Sequence, residues 1–135
     1  MRTRVIAVVL TAFAVAAAPA GAATFRATLH APNHTPKAGT KTWIIRVTAT
    51  TPSGKPLRAT AVYQFFFRGR KVSTQYPNPF KPTGSGHHPW AFTGSYRDQI
   101  LWPKRAVGFP LTFRVVVKVA GRGTRNLDWK VTVHQ

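Results

Sequence analysis

The side chains that could catalyse a reaction are scarce in this sequence. Its 135 residues include two carboxylates, Asp98 and Asp128, and neither glutamate nor cysteine. General acid–base catalysis uses positioned titratable groups, and glycoside hydrolysis normally uses two carboxylates together. No G-x-S-x-G elbow is present to position a serine nucleophile. The sequence therefore predicts a protein that is not an enzyme.

The two carboxylates have different predicted surroundings. Asp128 falls on the outward side of an alternating segment beside Lys130, which predicts a solvated surface pair. Asp98 shares its parity with Tyr96 and Ile100, so we expect it to face inward. A buried carboxylate needs hydrogen bonds or a cation. We therefore expect Asp98 near a sheet end, accepting hydrogen bonds from backbone or arginine donors.

Histidines are the remaining candidates for metal binding. Those considered are His30, His34, His87 and His88. Imidazole suits copper and zinc, but the chain has no cysteine, and its one methionine is Met1. The adjacent pair His87 and His88 does not by itself present two ligands to one ion. We expect loop histidines in solvent, with no metal and no cofactor.

Positive charge is the most unusual property of the chain. Twenty Lys and Arg residues against two acids give a formal net charge of +18, or +16 once Arg2 and Arg4 are left out. Such a surface concentrates polyanions around it. The expected partner is an anionic envelope polymer or another protein, and nucleic acid would bind non-specifically. The alternative is that the charge is compositional and spread evenly, with no ligand.

One predicted strand face combines cations with an aromatic ring. If the third strand and the last two strands share a sheet, its outer face carries Phe66, Arg68, Arg114, Lys118 and Lys130. Cations can contact phosphates, and an exposed ring offers a surface for stacking. The alternative is an ordinary solvated face with Phe66 covered by a loop.

A long proline-rich segment, residues 76–90, is the second candidate binding region. Its candidate contact residues are Tyr76, Phe80, Lys81 and Trp90. Long irregular loops often carry binding residues. The same segment could equally fold back as a hydrophobic plug over the sheet end.

The first 22 residues resemble an export signal. A basic start containing Arg2 and Arg4 precedes a mostly apolar run over residues 5–18 and then small residues. This is the pattern of a secretory signal peptide, and the run is shorter than the roughly 20 apolar residues that span a bilayer. We expect a signal peptide at 1–22 and a secreted or cell-surface domain at 23–135, without a transmembrane segment.

Strands must position all of these side chains, because apolar residues alternate with polar ones between turn residues. The predicted strands cover residues 25–30, 42–51, 58–68, 70–75, 90–102 and 111–120, with a last strand after the turn at 121–123. Apolar faces on about seven short strands predict a sandwich of two antiparallel sheets. A closed barrel is the main alternative.

Two stretches carry a resemblance to a known family. KTWIIRVTATTPSGKPL, residues 41–57, resembles the opening strand and turn of bacterial immunoglobulin-like domains, and residues 92–133 resemble their last strands. The chain is similar to small exported proteins of high-GC Gram-positive bacteria. The resemblance implies an immunoglobulin-like antiparallel β-sandwich outside the cytoplasm, and it assigns no functional residue. Together these features predict a binding module or, alternatively, a structural domain without its own ligand.

Overall fold

The computed structural model describes residues 23–79 and 86–135. The predicted signal peptide, Phe80 and Lys81 lie outside the described residues. A short 3-10 turn, Lys104–Ala106, precedes the seventh strand. The strands of the described part are β1 (Arg26–His30), β2 (Ile44–Thr50), β3 (Arg58–Phe67), β4 (Arg70–Gln75), β5 (Trp90–Thr93), β6 (Ser95–Gln99), β7 (Pro110–Val119) and β8 (Gly123–Thr132).

These strands form two antiparallel sheets. The three-stranded sheet has the order β1-β2-β6. The five-stranded sheet has the order β4-β3-β7-β8, and β5 also pairs with β3. The predicted all-β, two-sheet architecture is confirmed, with eight strands in the described residues rather than about seven.

The core lies between the inward faces of the two sheets, as the alternation predicts. Trp43, just before β2, and Ile45, Val47 and Ala49 of β2 are buried in one cluster with residues of β3 and β7. At the centre is Phe113, whose ring centroid lies 5.1 Å from that of Tyr63, 5.3 Å from Phe65, 5.9 Å from Trp43 and 6.1 Å from Trp102. Each fully buried side chain of this size contributes about 1.5–3 kcal/mol through the hydrophobic effect.

The prediction of one strand over residues 90–102 is wrong, because the chain changes sheets in the middle of it. Gly94 has a φ of +78°, in the left-handed region that side chains with a Cβ rarely adopt. Its N–H donates to the Leu57 carbonyl, and its own carbonyl accepts from the Ala49 N–H, both at 2.9 Å. Gly94 thereby ends β5, which pairs with β3, and starts β6, which pairs with β2.

Strands β4 and β5 occupy the same edge of β3. Gln75 is opposite Tyr63, and Trp90 is opposite Ala61, only two residues away on β3. The proline-rich segment is therefore an excursion from one interrupted edge strand. Its described base is packed, since Pro77 is buried and a Cβ on Gly86 would come within 2.7 Å of the Pro77 carbonyl oxygen.

The free edge of β8 is covered near its end by the link between β1 and β2. The Thr132 N–H donates to the His34 carbonyl at 2.9 Å, and the His134 N–H donates to the Pro36 carbonyl at 2.8 Å. Proline has no N–H to donate, so this segment makes isolated contacts instead of a full strand. Covering an edge in this way limits pairing with other chains.

Candidate functional site

The strand register brings the predicted basic residues onto one outer face of the five-stranded sheet. In one row across this face, Lys71 is opposite Phe66, Phe66 is opposite Thr112, and Thr112 is opposite Lys130. Two further rows on the same face contain Arg114 and Lys118. The sheet thus places Phe66, Arg114, Lys118 and Lys130 together, as the alternation predicts, and it adds Lys71.

Arg114 links the aromatic ring of this face to its one carboxylate. Its guanidinium lies over the half-buried ring of Phe66, 4.4 Å from the centroid. Its Nε and Nη2 donate to the two carboxylate oxygens of Asp128 at 2.7 Å and 3.1 Å, which raises the pKa of Arg114. The predicted pairing of Asp128 with Lys130 is therefore wrong, because the residue directly opposite in the register is Arg114. Lys130 is exposed on the same face.

Beside this row is an open groove of about 580 Å³, called here the basic groove. Its walls include Phe66, Arg68, Lys130 and His34. Arg68 reaches the groove from the two-residue turn between β3 and β4, where it and Gly69 both have positive φ. This is the turn geometry that matches the twist of a hairpin.

His34 is exposed, but it is held in place. Its Nδ1 donates to the Lys130 carbonyl at 2.6 Å, and its ring stacks on Trp129 with centroids 4.6 Å apart. The Trp129 Nε1 in turn donates to the Asn33 carbonyl at 2.9 Å. Sequence reasoning treats His34 as a solvated loop residue, and no pattern in the sequence indicates these contacts.

The described ends of the proline-rich loop are packed against the protein. Tyr76 is half-buried, and Trp90 is half-buried against the core. Phe80 and Lys81 fall in the segment that is not described. The described loop residues therefore support the sheet edge, and the basic groove is formed by strand residues, Arg68 of the β3–β4 turn and His34.

Cations also lie on the outer face of the smaller sheet, where sequence reasoning singled out no site. His30 is opposite Arg46, and Arg46 is opposite Arg97. Like charges directly opposite one another destabilise a sheet. The outward parity of these residues is visible in the sequence, but their alignment depends on the strand register, which the sequence does not reveal.

Asp98 is buried, as predicted, with 3% of its surface exposed. Its Oδ2 accepts a hydrogen bond from the Tyr63 hydroxyl at 2.7 Å, and the Tyr96 hydroxyl donates to that of Tyr63 at 3.1 Å. The predicted backbone hydrogen bond to Asp98 comes from Gln99. The side-chain donor is Tyr63, not an arginine. Burial raises the pKa of Asp98, although the bonds from Tyr63 and Gln99 lower it in part. Burial also raises the pKa of both tyrosines, so they stay protonated as donors.

The raised pKa of Asp98 predicts that stability falls as pH rises. The folded state holds the Asp98 proton more tightly than the unfolded state does. Protonated Asp98 therefore contributes its full share of the unfolding free energy below the unfolded pKa of about 3.9. That contribution is lost as the pH rises through the pKa of the folded state. We expect Asp98→Asn to remove this dependence, so that the variant gains stability relative to the wild type between acid and neutral pH. Urea unfolding across this range measures the difference, and parallel curves would contradict the prediction.

Within residues 23–79 and 86–135, no three His, Cys, Asp or Glu side chains are placed to hold a metal ion. The described part of the chain also contains no helix long and apolar enough to cross a membrane. No protein-family model matches the chain, and no curated protein matches it either.

Proposed function

We propose that this chain is an exported, non-enzymatic binding module that holds an anionic polymer on the outer face of its five-stranded sheet. The leader at 1–22 supports export, with the domain at 23–135 secreted or at the cell surface. The partner carries repeated phosphate, sulfate or carboxylate groups, since these match a net charge of +16 without Arg2 and Arg4.

The strand order supports an immunoglobulin-like topology for this domain. In immunoglobulin domains the third strand pairs with the sixth, and the sixth pairs with the seventh, while the first two strands lie in the opposite sheet. Here β3-β7-β8 and β1-β2-β6 have the corresponding arrangement. The pairing of β5 with β3 departs from it, because Gly94 divides the equivalent strand between the two sheets.

The observation that carries the binding proposal is the row formed by Lys71, Phe66 and Lys130 beside the basic groove. Arg114 forms an ion pair with Asp128, the single carboxylate of the described outer face. This carboxylate therefore repels an approaching anion less. Phe66 and Thr112 lie between the two lysines, and the Arg114 guanidinium over the Phe66 ring adds a third cation beside the row. A polymer lying along the row would contact cations on both sides of the ring.

Two triple variants test which face binds. We expect the change of Lys71, Lys118 and Lys130 to Gln to lower the salt concentration that elutes the protein from heparin. The slope of log affinity against log salt should fall by roughly 0.7–0.9 for each lysine that no longer neutralises an anionic group of the polymer. The matched control changes Arg26, Arg46 and Arg97 to Gln, which removes the same number of charges from the smaller sheet. We expect the control to lower the eluting salt concentration and the slope clearly less than the lysine variant does.

A structural domain without its own ligand is the second candidate, because the described cations occupy both outer faces. Under that alternative, diffuse charge would cause the heparin binding. Equal reductions in the two triple variants would favour this second candidate and reject the basic groove as the site.

A further inference from the structure

A separate apolar groove opens at the other side of the five-stranded sheet. It lies between the β4 edge, the end of β3 and the connection from β6 to β7. Its volume is about 380 Å³, within the range of about 300–1,000 Å³ typical of small-molecule sites. The apolar groove shares Leu111 with the basic groove and none of that groove's charged residues.

The exposed apolar side chains of the protein converge on this groove. Among the described residues, the large hydrophobic side chains with substantial exposure are Val72 at 58%, Phe109 at 50% and Leu101 at 39%. All three line the apolar groove, although Val72 comes from β4 and the other two come from the connection between β6 and β7. Isolated exposed hydrophobic residues are ordinary, whereas a concave cluster of them marks a binding surface.

The polar groups of the groove indicate the charge of its ligand. Arg105 contributes a cation, and neither Asp98 nor Asp128, the two acids of the chain, is part of the described lining. Trp102 forms part of the wall, is almost fully buried, and its Nε1 donates to no acceptor among the described residues. This nitrogen is itself enclosed, so Arg105 is the group of the lining that the charge of a ligand would meet.

We propose that the apolar groove binds a single-chain carboxylate, with its hydrocarbon tail against Val72 and Phe109 and its carboxylate near Arg105. The tail would cover apolar surface that otherwise faces water. The carboxylate would pair with the Arg105 guanidinium at the rim of the groove. This function is independent of polyanion binding on the basic groove, because the two sites use different charged residues.

Calorimetric titration with three ligands of equal chain length tests the head-group preference. We expect the purified protein to bind decanoate saturably at one site, decanol more weakly, and decyltrimethylammonium weakest of all. Below the micelle concentrations of the two ionic ligands and the solubility limit of decanol, all three are monomers with tails of nearly equal length. The ranking therefore reports the preference for the head group.

Variants separate the role of the tail from that of the head group. Arg105→Gln should weaken decanoate binding by up to about fivefold and leave decanol binding unchanged. Phe109→Ala should weaken both ligands by about tenfold, and Val72→Ala should also weaken both. The matched controls lie outside the apolar groove: Arg97→Gln for the charge and Val116→Ala for the valine. Neither control should alter the binding of decanoate.

Three results would overturn the proposal. The first is the absence of saturable decanoate binding. The second is a weakening of decanoate binding in the control variants equal to that in the groove variants. The third is binding to phosphatidylglycerol vesicles that Val72→Ala abolishes, while free decanoate does not bind. The last result would assign the groove to a bilayer lipid. Heparin elution of the same variants keeps the two sites distinct, because Val72→Ala and Phe109→Ala leave every cation of the basic groove in place.

Discussion

Phe113→Ala is expected to destabilise the domain by about 3–5 kcal/mol. Phe113 is fully buried, and its ring packs near four other aromatic side chains, which come from β3, the residue before β2 and the segment after β6. Truncation would remove packing against both sheets at once and leave a cavity that rigid neighbouring rings cannot fill. Small domains have a total unfolding free energy of about 5–15 kcal/mol, so this destabilisation is large. Urea unfolding followed by tryptophan fluorescence measures it.

Two further variants show that the position of Phe113 causes this effect. Phe113→Leu keeps an apolar side chain in the same place and leaves a smaller cavity, so it should cost clearly less than Phe113→Ala. Phe109→Ala removes the same atoms from a half-exposed ring and should change stability by roughly 0.5 kcal/mol. If Phe109→Ala cost as much as Phe113→Ala, the central role of Phe113 in the core would be wrong.

Tyr63→Phe is expected to cost about 2–3 kcal/mol at neutral pH, the second-largest effect. The change removes the hydroxyl that donates to the buried Asp98 and, at the same time, the acceptor of the Tyr96 hydroxyl. An ionised carboxylate would be left without its tyrosine donor in a buried site. We expect the pKa of Asp98 to rise further as a result, because protonation relieves that penalty.

Tyr96→Phe is the matched comparison, because it deletes one hydroxyl from the same cluster. This hydroxyl donates to the Tyr63 hydroxyl and reaches the carboxylate only through it, so its removal should cost about 1 kcal/mol. The double variant Tyr63→Phe with Asp98→Asn, compared with the two single variants, measures the coupling between Tyr63 and Asp98. Equal costs for the two tyrosines, or no coupling, would show that the hydrogen bond to Asp98 is energetically unimportant.

The sequence predicts the inward face of nearly every strand, because alternation follows directly from pleated geometry. Ile45, Val47, Tyr63 and Val115 are all buried, as their parity indicates. The inward position of Asp98 follows from the same rule. Its tyrosine partner does not, because Tyr63 is 35 residues away along the chain and belongs to the opposite sheet.

The change of sheet at Gly94 is hidden from the sequence for a specific reason. Phe92, Gly94 and Tyr96 share one parity, so the alternation continues through the break and predicts one long strand. Glycine occurs within strands as well as at turns, and its positive φ becomes visible only in the structure. The division of this segment between two sheets therefore could not be predicted.

The sequence predicts which residues of the candidate site point outward, but not which of them lie opposite one another across the sheet. Parity indicates that Phe66, Lys118 and Lys130 point outward on their strands. Strand order and register determine that they share a face, and they also place Arg114 opposite Asp128. The apolar groove gives no sequence signal, because Val72 is far along the chain from Leu101 and Phe109 and only folding brings the three together.

The interruption between β4 and β5 also bears on how this scaffold could diversify. Both ends of the excursion are anchored by pairing to neighbouring positions of β3, so β3 determines their separation whatever connects them. Closing a longer connection costs little extra entropy, about 0.6 kcal/mol for each doubling of its length. The protein thus has a grafting point at which recognition segments of varied length could be exchanged while both sheets keep their alignment.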